Sequence, residues 1–120
     1  MPSILLVEDS REQRRIISSM LKTDNIEEIV EANHGLEALE FLNQRSFDLV
    51  ICDLMMPEMD GMELIREIHL NFSGMKIIAM SGGGTAALNY YIEIMEKKLA
   101  KTISKPFTKE QINSLINSLI

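Results

Sequence analysis

The scarcities of this 120-residue sequence narrow its possibilities first. One cysteine, Cys52, has nothing to pair with, so no internal disulfide forms and a reducing compartment is expected. Basic residues are few, 12 against 18 acidic, and the formal net charge is −6. That lacks the basic stripe a nucleic-acid surface needs. No apolar run approaches the roughly 18 residues of a membrane-spanning helix. The start, Met1-Pro2-Ser3, has neither the charged region nor the cleavage site of a signal peptide. A cytoplasmic protein with neither nucleic acid nor membrane as a partner is expected. There is no linker, internal repeat or low-complexity tract, so a single domain over residues 1–120 is expected.

What is present is organised around Leu49-Val50-Ile51-Cys52-Asp53. Four apolar residues running into a carboxylate predict a strand buried on both faces, ending where the chain turns towards solvent. A similar run, Ile4-Leu5-Leu6-Val7, leads into Glu8-Asp9-Ser10, and Ser10 with Gln13 predicts a capping box. Ile16, Ile17, Met20 and Leu21 then recur at helical spacing. Glu28 to Ala32 predicts a short strand; Leu36, Leu39 and Leu42 mark a second helix, and Met62, Leu64, Ile65 and Ile68 a third starting near Gly61. Lys76 to Met80 predicts a strand ending in Ser81-Gly82-Gly83-Gly84, and a helix follows over Thr85 to Leu99. Thr102-Ile103-Ser104 runs into Lys105-Pro106-Phe107, and Thr108 with Gln111 caps a last helix faced by Ile112, Leu115, Ile116 and Leu119.

Five alternations of strand and helix imply an α/β fold, a doubly wound five-stranded parallel sheet with five helices on both faces. The first, third and fourth strands are the most continuously apolar and belong in the centre; the second and fifth are short and polar-flanked and belong at the edges. The order 2-1-3-4-5 follows, with its topological switch between strands one and three. Glu8, Asp9 and Asp53 then meet at the crevice where a ligand is expected. Three adjacent carboxylates repel one another, and a hard divalent cation such as Mg²⁺ resolves this with oxygen ligands. Ser81 and Lys105, at the ends of strands four and five, offer a hydroxyl and an ammonium to phosphoryl oxygens. Phosphoryl transfer needs mainly positioning and charge neutralisation, so Asp53 is expected to accept a phosphoryl group by in-line attack.

These residues carry a resemblance. Glu8-Asp9, Asp53 with Pro57 and Asp60-Gly61, Ser81, and Lys105-Pro106-Phe107 stand in order at successive strand ends. The chain resembles the receiver domain of bacterial two-component response regulators over essentially its whole length, and is most similar to stand-alone, chemotaxis-type receivers without an output domain. The resemblance implies a flavodoxin-like fold. It implies a phosphoryl group supplied by a sensor histidine kinase or histidine phosphotransfer protein. It implies Mg²⁺ held by Asp9, Asp53 and the backbone carbonyl of Met55, with Glu8 acting through water, and a cis peptide before Pro106. It also implies a self-phosphorylating, self-dephosphorylating acceptor rather than an enzyme on an external substrate, with a downstream protein controlled through the face of helix four, strand five and helix five.

Departures from the family pattern bear on mechanism. Thr102 stands where the family commonly has an aromatic switch, and Lys98-Leu99 where it has a small pair. Switching is therefore expected to use Ser81, the glycine loop or helix four, with the loop mobile until Ser81 is drawn to the phosphoryl group. Met55 and Gly83, two residues after Asp53 and Ser81, cannot orient a water, so self-dephosphorylation is expected to be slow to moderate. Met55, Met56, Met59 and Met62 are expected near the active edge. Lys97, Lys98 and Lys101 form a basic patch, Tyr90 and Tyr91 lie beside it, and Cys52 is read as a core residue. Nucleotide or flavin binding is disfavoured because the first turn lacks a glycine fingerprint. A hydrolytic phosphatase is disfavoured because Met55 replaces the second acid. A pseudo-receiver that binds partners without phosphorylation is the alternative.

Overall fold

Strands form where apolar residues run uninterrupted, and helices where they recur every three to four positions. In a computed structural model, which describes residues 2–56 and 59–120, these two patterns alternate five times. The order is β1 (Ser3–Val7), α1 (Arg11–Leu21), β2 (Glu28–Ala32), α2 (Gly35–Gln44), β3 (Leu49–Asp53), α3 (Gly61–Asn71), β4 (Ile77–Ser81), α4 (Thr85–Lys97), β5 (Lys101–Ser104) and α5 (Lys109–Leu119). The strands pair in parallel in the order β2-β1-β3-β4-β5, the expected arrangement.

Alternate residues of a strand face opposite sides of the sheet. Ile4, Leu6, Leu49, Ile51, Ile78 and Met80 pack with Ile17 and Leu21 of α1 and with Ile112 and Ile116 of α5. Leu5, Val7, Val50, Cys52, Ile77 and Ala79 pack with residues of α2, α3 and α4. The sheet is therefore covered on both faces. Cys52 lies in the second of these layers, and burial pushes its thiol up to about 12, so it is an inert core residue.

Several expectations need correction. Gly84 and Lys98 bound α4, which ends at Lys97 rather than Leu99; Lys98 takes a left-handed conformation, φ 53°, and stops it. The box at α5 is complete, but at α1 only the Ser10 half forms among the described residues, because the Gln13 side chain is bonded elsewhere. Ile16 and Leu36 sit at the exposed margins of their helices. Met56 and Met62 are buried in the layer packed by α2–α4, while Met55, two residues after Asp53, is exposed. Pro57 lies outside the described residues.

Candidate functional site

Strand parity builds the site. Glu8 continues the Ile4–Leu6 series, Asp53 the Leu49–Ile51 series, and Lys105 the series of Ile103, which packs in the same layer. All three side chains therefore leave the sheet on the α1/α5 side at its carboxyl edge. The register places Val7 beside Cys52 and Asp53 beside Met80, so β1 and β3 end together. Ligand atoms of Glu8, Asp9 and Asp53 lie within 4.8 Å of one another.

Glu8 is 1% exposed and Asp53 7%, while Asp9 faces solvent. Lys105 Nζ donates to Asp53 Oδ2 at 3.2 Å and to Glu8 Oε1 at 3.3 Å. Asp53 Oδ1 accepts from the Met55 backbone N–H at 3.2 Å. One ammonium faces three carboxylates. The excess shows at Glu8: burial, then the adjoining Asp53 carboxyl, raises it to about 8 against the pull of Lys105. Its Oε2 is buried and has no hydrogen-bond partner among the described residues. A buried, orphaned carboxylate oxygen in an all-oxygen cluster suits a hard divalent cation or a water bound to one.

Ser81 ends β4, half-buried. Its carbonyl accepts the Lys105 backbone N–H at 2.8 Å, which ties β5 to the edge, and its hydroxyl accepts from Gly83 N–H at 3.4 Å. The hydroxyl is thus turned into its own loop. Gly82, Gly83 and Gly84 are exposed, and Gly83 and Gly84 both have φ of 95°, where a side chain would be strained. The Lys105–Pro106 peptide is cis, as expected.

The loop after Asp53 is pinned by short contacts. Leu54 N–H donates to Met80 O and Gly61 N–H to Leu54 O, both at 2.9 Å. A Cβ on Gly61 would stand 2.0 Å from the Asp53 carbonyl oxygen, so only glycine lets α3 start this close to Asp53. Asp60 caps α3 through its Oδ1 and accepts the Tyr90 hydroxyl on Oδ2 at 2.8 Å. Tyr90 therefore faces α3 instead of joining Tyr91 and the lysines. Of those lysines, Lys97 lies 3.5 Å from Glu93 of its own helix, and Lys98 and Lys101 are exposed.

Three contributors were missed in the sequence. Arg14 donates to the Glu8 carbonyl at 2.8 Å and pairs with Glu31 at 3.2 Å, fixing the turn that carries the acids. Gln13 accepts from Lys105 Nζ at 2.7 Å. His34 caps α2, its Nδ1 accepting from Glu37 N–H. The capping pattern at Ser10 was a signal for Gln13, but one that pointed the wrong way. A hollow of about 370 Å³ beside Lys105 is lined by Ile16, Ile17, Met20 and Phe107 and is mainly apolar.

Known proteins share this fold. The family model described as response regulator receiver domain matches residues 4–117. The chain is 32% identical over 117 residues to the chemotaxis protein CheY of Bacillus subtilis, covering 98% of this chain and 96% of that one. It is 33% identical over 121 residues to the response regulator receiver protein CpdR of Brucella abortus, covering 100% and 98%. A receiver domain structure from Clostridium thermocellum superposes with a TM-score of 0.90 at 30% identity, covering 100% of this chain and 94% of that one.

Proposed function

Because the chain belongs to the response regulator receiver domain family, we propose that it accepts a phosphoryl group onto Asp53 from a partner phosphohistidine. The observation that carries this is the cluster itself: three carboxylates within 4.8 Å, with Lys105 on the Asp53 oxygen. An Asp53 carboxylate oxygen forms the new bond to phosphorus, and the phosphorus–nitrogen bond to the donor imidazole breaks. Lys105, already bonded to Asp53 Oδ2, would shift onto a phosphoryl oxygen, while the Met55 N–H stays bonded to the other carboxyl oxygen. Asp9, Asp53 and the Met55 carbonyl would hold Mg²⁺, with Glu8 acting through water. The metal, when bound, neutralises charge on the acids and the incoming phosphoryl group.

Signalling would follow when Ser81 leaves its bond to Gly83 for the phosphoryl group and the glycine loop and α4 move with it. The solvent side of α4 carries Leu88, Tyr91, Ile92 and Met95 at helical spacing, an apolar stripe that suits a protein partner. The molecule would hydrolyse its own aspartyl phosphate at a slow to moderate rate, since the Met55 and Gly83 side chains cannot orient a water. A cytoplasmic location suits the lone, buried Cys52.

Intact mass after incubation with Mg²⁺ and acetyl phosphate tests this. One hydroxylamine-labile phosphoryl adduct is expected on the parent chain and none on Asp53→Ala. No adduct on the parent would favour the pseudo-receiver, which the departures at Lys98, Leu99 and Thr102 keep in view.

A further inference from the structure

Gln13 sits at the third position of α1, where the Ser10-x-x-Gln13 pattern should turn its side chain back onto the Ser10 backbone. Ser10 does accept the Gln13 N–H, but the Gln13 carbonyl oxygen takes Lys105 Nζ at 2.7 Å instead. That is shorter than either carboxylate contact of the same ammonium, 3.2 Å to Asp53 and 3.3 Å to Glu8. An ammonium has three N–H donors, and these three acceptors account for them. A carboxylate outcompetes a neutral amide for a cation when both are equally free to approach. The inverted order of distances means that the Lys105 head is held out towards α1 rather than sunk between the two acids. The turn holding it is fixed, because neighbouring Arg14 bonds the Glu8 carbonyl at 2.8 Å and Glu31 at 3.2 Å.

We propose that Gln13 is a positioning residue for phosphoryl acceptance, setting how closely the Lys105 ammonium pairs with the Asp53 carboxyl group. This rests on the acceptor role proposed above. Gln13 exchanges no atom: the oxygen–phosphorus bond forms at Asp53 and the donor's leaving group departs as before. Without an acceptor at position 13, Lys105 closes onto Asp53 and Glu8, and a more tightly paired carboxylate is a poorer nucleophile.

The test is a double-mutant cycle on the rate of adduct formation from acetyl phosphate at saturating Mg²⁺. Methionine at position 13 has the same reach, no acceptor and good helix propensity at an exposed site, so folding is preserved. Gln13→Met is expected to slow acceptance about three- to tenfold, a fraction of the full worth of one hydrogen bond to the ammonium, because Gln13 acts only through Lys105. In a Lys105→Met background the same substitution should change the rate by less than about twofold. Gln13→Glu, which keeps an acceptor, should be faster than Gln13→Met. An unchanged rate in Gln13→Met, equal slowing in both Lys105 backgrounds, or Gln13→Glu no faster than Gln13→Met overturns the proposal and leaves the acceptor role standing. No adduct on the parent chain overturns both.

Discussion

Two glycines show how much the neighbour of an added side chain decides its cost. A Cβ at Gly61 would lie 2.0 Å from the Asp53 carbonyl and 2.6 Å from the Leu54 Cα, both backbone atoms that cannot yield. A Cβ at Gly35 would meet the Met59 side chain, Sδ at 2.6 Å, Cγ at 2.9 Å and Cβ at 3.2 Å, and the two closest of these atoms can swing aside. Gly61→Ala is therefore expected to cost about 3 kcal/mol or more, and Gly35→Ala less than about 1 kcal/mol, measured by urea unfolding. Equal costs would mean that the loop after Asp53 gives way. Asp53 and the Glu8-Asp9 pair were legible in the sequence because each ends an apolar run, and Lys105 because it follows a short strand and leads into Pro106-Phe107. Gln13 was not, because a local capping pattern and a distant lysine compete for one side chain, and only folding brings Lys105 within 2.7 Å.

At the scale of elements, α3 and α4 are joined by polar ties that no local pattern announces. Tyr90 donates to Asp60 at 2.8 Å, and Arg66 grips Glu93 with two bonds of 2.6 and 2.9 Å. Arg66 holds the Glu93 carboxyl down at about 2, below its ordinary 4.5. A depressed acid contributes stability above pH 4.5 and loses it as pH falls towards 2. The pair is partly exposed, so Glu93→Gln should lower the melting temperature at pH 7 by only about 2–4 °C. That difference should shrink as pH falls from 4.5 towards 2, and a constant difference would assign it to something other than the ion pair. The start of α4 is tied less: Gly84 supplies no side-chain cap. Tyr90→Phe should therefore speed amide exchange in the first turns of α4 while leaving α5 unchanged, and unchanged exchange in α4 would show that the tie to Asp60 does not hold it. The predicted helix ran to Leu99 because its apolar spacing continues; backbone conformation at Lys98, invisible to periodicity, ends it earlier.

Over the whole molecule, the strand order was legible because burial on two faces leaves an unbroken apolar signature and edges do not, and the order alone brings Glu8 to Asp53. The balance of charge that results was less so, since it depends on how deeply each acid is buried. Glu8 titrates near 8 in the fold and near 4.5 when unfolded, so the folded chain holds the extra proton between those values. In Mg²⁺-free buffer the fold should therefore lose stability as pH rises through that window. Mg²⁺ needs the ionised acids, so the rise in melting temperature it causes should be larger at pH 8 than at pH 5.5; an equal rise would separate Glu8 from the metal. Among the three adjoining acids, Asp53 is the one proposed to take the phosphoryl group. Borohydride converts an acyl-phosphate carboxyl into an alcohol, so reduction of the chain after treatment with Mg²⁺ and acetyl phosphate, followed by peptide sequencing by mass spectrometry, reads the acceptor directly. Homoserine at position 53 alone is the result predicted, and a reduced residue at Glu8 or Asp9 with Asp53 intact would contradict it.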